Sequence, residues 1–205
     1  VEQAFSVSCR GRRQFLSIVG LFLLPPVAAW LAWQYLNTHG VSVTTNNGEL
    51  VLPARPVDLS HLDYAEGQSS GDLKGRWVFV MFSDAACGPR CQKQLYLTRQ
   101  VRIGVNKDLP RVRRLLVVRG GEAVTTRRML ALAHPDLVVA GGAGSGWLSA
   151  FRGNGFGPDG AQFFLVDPLG NLMMSYSLDE QGNGVVQGKG TLKDLQKLLK
   201  VSQIG

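Results

Sequence analysis

The stretch that decides the fold is Trp77-Val-Phe-Val-Met-Phe82-Ser-Asp-Ala-Ala-Cys87-Gly-Pro-Arg-Cys91. Its six leading residues, Trp77 to Phe82, are all apolar. A run of that length with no polar face marks a strand covered on both sides in the middle of a sheet. After Cys91 the stretch Gln92 to Val101 reads as a helix, with Leu97, Val101 and Gly104 on one stripe. The two cysteines therefore sit where a central strand ends and a helix begins, the edge at which α/β sheets hold their sites.

Reading downstream, Val112 to Val118 is a second strand and Thr125 to Ala133 a helix stopped by His134-Pro135. Leu137 to Ala140 is a third strand, and Trp147 to Phe151 a short helix after the glycine-rich loop Gly141 to Gly146. Ala161 to Val166 and Leu172 to Tyr176 are strands joined by the turn Asp167 to Asn171. A last helix is expected over Thr191 to Val201, with Thr191 as its cap and Leu192, Leu195, Leu198 and Leu199 as its buried stripe. Upstream, Val41 to Thr44 and Glu49 to Leu52 flank Asn46-Asn47-Gly48 and predict a short hairpin ending at Pro53 and Pro56. Right-handed crossovers then give an α/β fold, a mixed central sheet flanked by helices, over residues 71–205, with residues 37–70 as linker and N-terminal hairpin.

From Phe15 to Leu36 the chain runs 22 residues without an Asp, Glu, Lys, Arg or His. At about 1.5 Å per residue that length crosses a hydrocarbon core of about 30 Å as a transmembrane helix. Pro25 and Pro26 predict a kink, and Trp30, Trp33 and Tyr35 suit an interface. Arg10, Arg12 and Arg13 precede the span, which places residues 1–14 in the cytoplasm and the rest outside, as a signal anchor rather than a cleaved signal. The expected location is a bacterial inner membrane, single-pass, with the C-terminal domain in the periplasm.

The net charge of +7 on 205 residues is spread along the chain, and no basic run is interleaved with aromatics. Nucleic acid is not an expected partner. The loop Gly141 to Gly146 fits a dinucleotide fingerprint poorly, because the third glycine position is Trp147. No nucleophile elbow, zinc-protease or phosphate-loop motif occurs, so hydrolase chemistry has no support in the sequence. Arg111, Arg113 and Arg114 read as a solvated edge or a partner patch, and His134 as a cation at a helix end. His39 and His61 carry no pattern of their own.

Cys9 lies before the span, so Cys87 and Cys91 are the only cysteines of the exported part. A helix N-terminus favours a thiolate; Arg90 and Lys93 act in the same direction and Asp84 against it. If both cysteines are helical they stack one turn apart and offer two soft sulfurs to a metal such as Cu(I). If Cys87 is in the loop, the sulfurs approach closely enough to bond, as an oxidising compartment favours. A plain structural disulfide is the third reading.

The strand ending Phe82-Ser-Asp, the Cys-x-x-x-Cys that opens a helix and the late Phe164-Leu-Val-Asp-Pro-Leu-Gly170 hairpin together resemble the Sco/SenC family over about residues 45–200. The resemblance implies a thioredoxin-like fold, a single membrane span and a part in assembling the copper centre of cytochrome c oxidase. It implies Cys87 and Cys91 as catalytic or Cu(I)-binding residues, copper as the cofactor or cargo, and an oxidase subunit or another periplasmic thiol or copper protein as partner. Where the family has prolines after each cysteine, this chain has Gly88 and Gln92, with Pro89 shifted by one. The position of the family's histidine ligand falls on Asp159, a harder donor than imidazole. A general thiol-disulfide oxidoreductase, with Cys87 attacking and Cys91 resolving, and a non-catalytic interaction protein are the alternative expectations.

Overall fold

The computed structural model describes residues 9–39, 46–84, 87–153, 157–178 and 184–202. In chain order the elements are helix α1 (Cys9–His39), strands β1 (Glu49–Pro56), β2 (Asp63–Tyr64) and β3 (Trp77–Asp84), then α2 (Pro89–Gly104), β4 (Val112–Arg119), α3 (Ala123–Leu130), β5 (Leu137–Gly141), α4 (Ser145–Ser149), β6 (Gln162–Val166), β7 (Asn171–Ser177) and α5 (Gly184–Val201). The chain divides into two units, residues 1–45 and 46–205. The first contains α1, which continues through Pro25 and Pro26 and whose segment Gly11–Tyr35 is long and apolar enough to cross a membrane.

In the second unit the strands form one mixed sheet in the order β1-β7-β6-β3-β4-β5-β2. The six apolar residues of β3 divide between its faces as a pleated strand requires. Trp77, Phe79 and Met81 enter the core shared with α2, α3 and α5, and Val78, Val80 and Phe82 the core shared with α4 and the segment before β3. Burying a large apolar side chain contributes about 1.5–3 kcal/mol, so β3 anchors both layers. Its edges are taken by β4 in parallel and β6 antiparallel.

Several local expectations change. β1 pairs antiparallel with β7, and residues 41–44, the expected hairpin partner of β1, lie outside the described residues. As an edge strand it tolerates Pro53, which has no amide hydrogen to give. Its start is held by the buried Asp194 of α5, which accepts the backbone N–H groups of Asn47 and Gly48 at 2.7 and 3.0 Å. Only glycine fits at position 48, where a Cβ would stand 2.4 Å from the Tyr176 ring. Nor does Thr191 cap α5: the helix begins at Gly184, and the Thr191 hydroxyl donates to the Gln187 carbonyl one turn back. The helix runs through Gly184, Gly188 and Gly190, which intrinsic propensity disfavours.

Arg114, expected on a solvated edge with Arg111 and Arg113, is instead 0% exposed within β4. Its Nε and Nη2 donate to the two carboxylate oxygens of Asp136 at 3.0 and 2.8 Å, and its Nη1 to the Leu95 carbonyl of α2 at 2.9 Å. Arg102 approaches the same carboxylate at 3.3 Å. Arg111 ties the turn after α2 to the end of α5 through the carbonyls of Leu199 and Ser202. His134 is not a helix-capping cation either. Its burial and the neighbouring Arg114 and Arg99 lower its pKa and favour the neutral ring, whose Nδ1 stands 3.5 Å from Arg114 Nη2.

Burial opposes ionisation of Asp136, but its hydrogen bond to Arg114 and the charges of Arg114 and Arg102 outweigh it and hold the carboxyl below its ordinary value. The pair therefore stabilises the fold above the ordinary carboxylate value of about 3.9, and that contribution is lost as the pH falls through the lowered folded-state value. Asp136→Ala strands the buried guanidinium and is expected to cost about 3–5 kcal/mol in urea unfolding of the full chain in detergent. Asp136→Asn should remove the acid-dependent part of the stability, so an unchanged loss below about pH 4 in that variant would assign it to other carboxylates.

Candidate thiol-disulfide site

β3 and β4 run in register from Trp77 opposite Val112 to Asp84 opposite Arg119. That register carries two charges to the carboxyl edge of the sheet, where Arg119 Nη2 donates to Asp84 Oδ1 at 2.9 Å. Asp84 was expected to oppose a thiolate in the following loop; its pairing with Arg119 reduces that opposition. Residues 85–86 lie outside the described residues. Cys87 follows in the loop, Gly88 is the N-cap of α2 and Pro89 its first residue, where a missing amide hydrogen does no harm. No side chain caps α2, so the positive end of its dipole is turned to the cysteine loop.

Of the two geometries left open by the sequence, the loop geometry is the one found. Cys87 and Cys91 are joined by a disulfide, with their Cα atoms 5.2 Å apart. The pair is asymmetric. Cys91 is 4% exposed and belongs to the core beneath α2, whereas Cys87 is half-buried at its margin. A cleft of about 460 Å³ opens beside them, lined among others by Phe82, Ser83, Asp84, Cys91, Asp159 and Gly160.

The far wall of the cleft is the loop before β6, and two residues hold it there. Gln94, fully buried one turn after Cys91, donates through Nε2 to the carbonyls of Gly160 and Gln162. Gly160 has φ +83°, and a Cβ there would meet the Phe82 carbonyl at 3.3 Å. Neither Gln94 nor Arg119 was singled out in the sequence. The signal for Gln94 was a polar residue on the same face of α2 as Cys91, and that for Arg119 was the parallel register with Asp84, which only strand pairing reveals.

Asp159 lies in the cleft wall as an exposed residue, and its Oδ1 accepts the N–H of Ala161 at 2.9 Å. His61 pairs with Asp58 at 3.0 Å, and His134 belongs to the Arg114 cluster. The side chain of His39 lies outside the described residues. Among the described residues no group of three or more His, Cys, Asp or Glu is placed to hold a metal ion. A three-ligand copper site of two sulfurs and an imidazole therefore does not fit these residues; the donors present are two sulfurs and one hard carboxylate already engaged with backbone.

Solved structures share the fold. Apo Sco1 from Thermus thermophilus is 20% identical, with 77% of this chain and 99% of that chain covered and a TM-score of 0.53. Yeast Sco1 with copper bound is 17% identical, covering 73% of this chain and 93% of that one, with a TM-score of 0.54. A candidate protein disulfide isomerase from Bacteroides thetaiotaomicron is 16% identical, covering 76% and 95%, with a TM-score of 0.51. No curated protein matches the sequence at a significant level. The model of a family described as transmembrane-like, thioredoxin-like, C-terminal domain matches residues 77–202, from the first residue of β3 to just past the end of α5. With that match over more than half its length, and a Sco-like thioredoxin fold around a Cys-x-x-x-Cys disulfide, the chain belongs to the transmembrane-like, thioredoxin-like C-terminal domain family.

Proposed function

We propose that the protein is a membrane-anchored thiol-disulfide exchange protein, with Cys87 as the sulfur that meets the partner and Cys91 as the resolving sulfur. The observation that carries this reading is the unequal burial of the two bonded sulfurs at the β3–α2 junction, Cys87 half-buried at the edge of the core and Cys91 within it. In the oxidised protein a partner thiolate attacks Cys87 Sγ, the Cys87–Cys91 bond breaks, and Cys91 leaves as a thiolate. Attack by a second partner thiolate on the mixed disulfide then frees Cys87, leaving the partner oxidised by two electrons and this protein reduced. In the opposite direction the Cys87 thiolate attacks a partner disulfide and Cys91 displaces the partner, which leaves reduced. Burial of Cys91 protects the resolving sulfur from solvent reagents while keeping it within bonding distance of Cys87.

In this reading residues 1–14 are cytoplasmic, 15–36 span the inner membrane and 37–70 join the span to the domain of residues 71–205 in the periplasm. The three arginines before the span support that direction. The Sco-like fold supports a partner in cytochrome c oxidase assembly. A second reading follows from the same two sulfurs: when reduced, they carry Cu(I) as cargo between them and pass it to an oxidase subunit or another periplasmic thiol or copper protein. Soft thiolates suit Cu(I), and Asp159 adds nothing soft to them.

Four measurements test these readings. In the full chain reduced in detergent, maleimide should label Cys87 at least about tenfold faster than Cys91, following thiolate access; equal rates would remove the assigned order of attack. Cys91→Ser should accumulate a stable mixed disulfide with a cysteine-containing peptide through Cys87, while Cys87→Ser should not. A disulfide that resists peptide thiols and has a potential well below about −300 mV is structural and excludes exchange. For the cargo reading, anaerobic titration of the reduced chain with Cu(I) should show one tight equivalent that is lost in either serine variant.

A further inference from the structure

Beside the cysteine cleft, α2 and α5 lie against each other along their lengths, and the seam between them is an open groove of about 490 Å³. Its floor is apolar, from Leu97 and Val101 of α2 and Leu192 of α5, and its rim carries Lys93, Tyr96 and Lys189. Tyr96 is 66% and Val185 62% exposed, so two large apolar groups stand at this surface with much of their area in water. The helices run the same way along the seam: Lys93 and Gly184 line one end, while Gly104 packs on Leu192 further down. The groove therefore starts at the cysteine end of the sheet, two residues past Cys91.

Charge is distributed unevenly around it. The two helices carry eight of the 19 cations of residues 46–205 but only one of the 14 acids, Asp194. That acid is 1% exposed and spent on the backbone of Asn47 and Gly48. Without the two helices, residues 46–205 have eleven cations against thirteen acids, Asp179 and Glu180 included, and are net negative. The whole positive excess of residues 46–205 thus belongs to α2 and α5; of their cations Lys93 and Lys189 line the groove, while Arg102 is paired inward with Asp136. Fields of one sign over a patch raise the encounter rate with segments of the other sign.

We propose that the α2/α5 groove is the docking surface for the partner of the cysteine pair, and that it takes an acidic segment of that partner carrying apolar side chains. The apolar floor takes the side chains, the lysines at the rim meet the carboxylates, and the end near Lys93 brings the segment's cysteine to Cys87. A concave seam suits an inserted polypeptide better than a lipid surface, which requires apolar groups that project. The proposal rests on the exchange reading above and adds the class of partner to it.

The test compares three thiols against the full oxidised chain held in phosphatidylcholine nanodiscs. These are mercaptoethanol, a short peptide with cysteine flanked by leucine and glutamate, and the same peptide with lysine in place of glutamate. The glutamate peptide should reduce the disulfide about tenfold or more faster than the lysine peptide, and the advantage should shrink with added salt as the field is screened. Lys189→Glu, on the α5 side of the rim, should shrink the advantage and leave the mercaptoethanol rate unchanged. A serine version of the glutamate peptide, labelled for fluorescence anisotropy, reads docking without chemistry: binding with no reaction from any thiol overturns exchange and keeps the groove, whereas reaction with all three at one rate overturns the groove and keeps exchange. Loss of the peptide advantage when the discs contain phosphatidylglycerol would assign the basic face to anionic lipid and overturn the proposal.

Discussion

The structure depends on the burial of β3 from both sides. A strand whose alternate residues enter two different apolar cores cannot slip by one residue without exchanging its whole set of side chains between layers, so its register with β4 and β6 is pinned. Two consequences follow at its carboxyl end. The chain leaves the sheet at a fixed height, which sets where Cys87 emerges, and β4 delivers Arg119 beside Asp84. The position of Cys87 thus depends on a core of apolar side chains remote from it in sequence.

The cysteine pair uses that placement in an asymmetric way. Pro89 and Gly88 start the helix just after Cys87, leaving the first sulfur in the loop and the second in the first turn of α2. Had both been helical, they would have faced one way at similar depth. Because one is not, the two sulfurs differ in burial. Gln94 extends the same logic by tying the opposite wall of the cleft to the helix that bears Cys91.

Charge in this chain is organised by layer. The buried pair of Arg114 and Asp136 joins β4, the start of β5 and the backbone of α2 within one helix-sheet interface, and Arg102 closes it from the helix side. The remaining cations of α2 and the lysines of α5 look outward from the same layer. A single helical layer therefore holds an inward electrostatic lock and an outward basic surface, with the cysteines at its end.

Much of the fold was legible in the chain because its signals are local. The unbroken apolar run of Trp77–Phe82, the turn Asp167–Asn171 and the leucine stripe of the last helix each define an element within a few residues, and the alternation of strands and helices then leaves few topologies. The uncharged run from Phe15 to Leu36 is local in the same sense. What the sequence did not show depends on which distant residues meet. The partner of β1 is β7, far along the chain; Arg114 looks like a member of an exposed basic group until Asp136 is brought beneath it; and the first turns of α5 are helical although they are rich in glycine. The cysteine spacing alone left metal binding and disulfide formation both open. The tertiary structure decided between them by starting α2 only at Pro89, which leaves Cys87 outside the helix and brings it within bonding distance of Cys91 in the first turn.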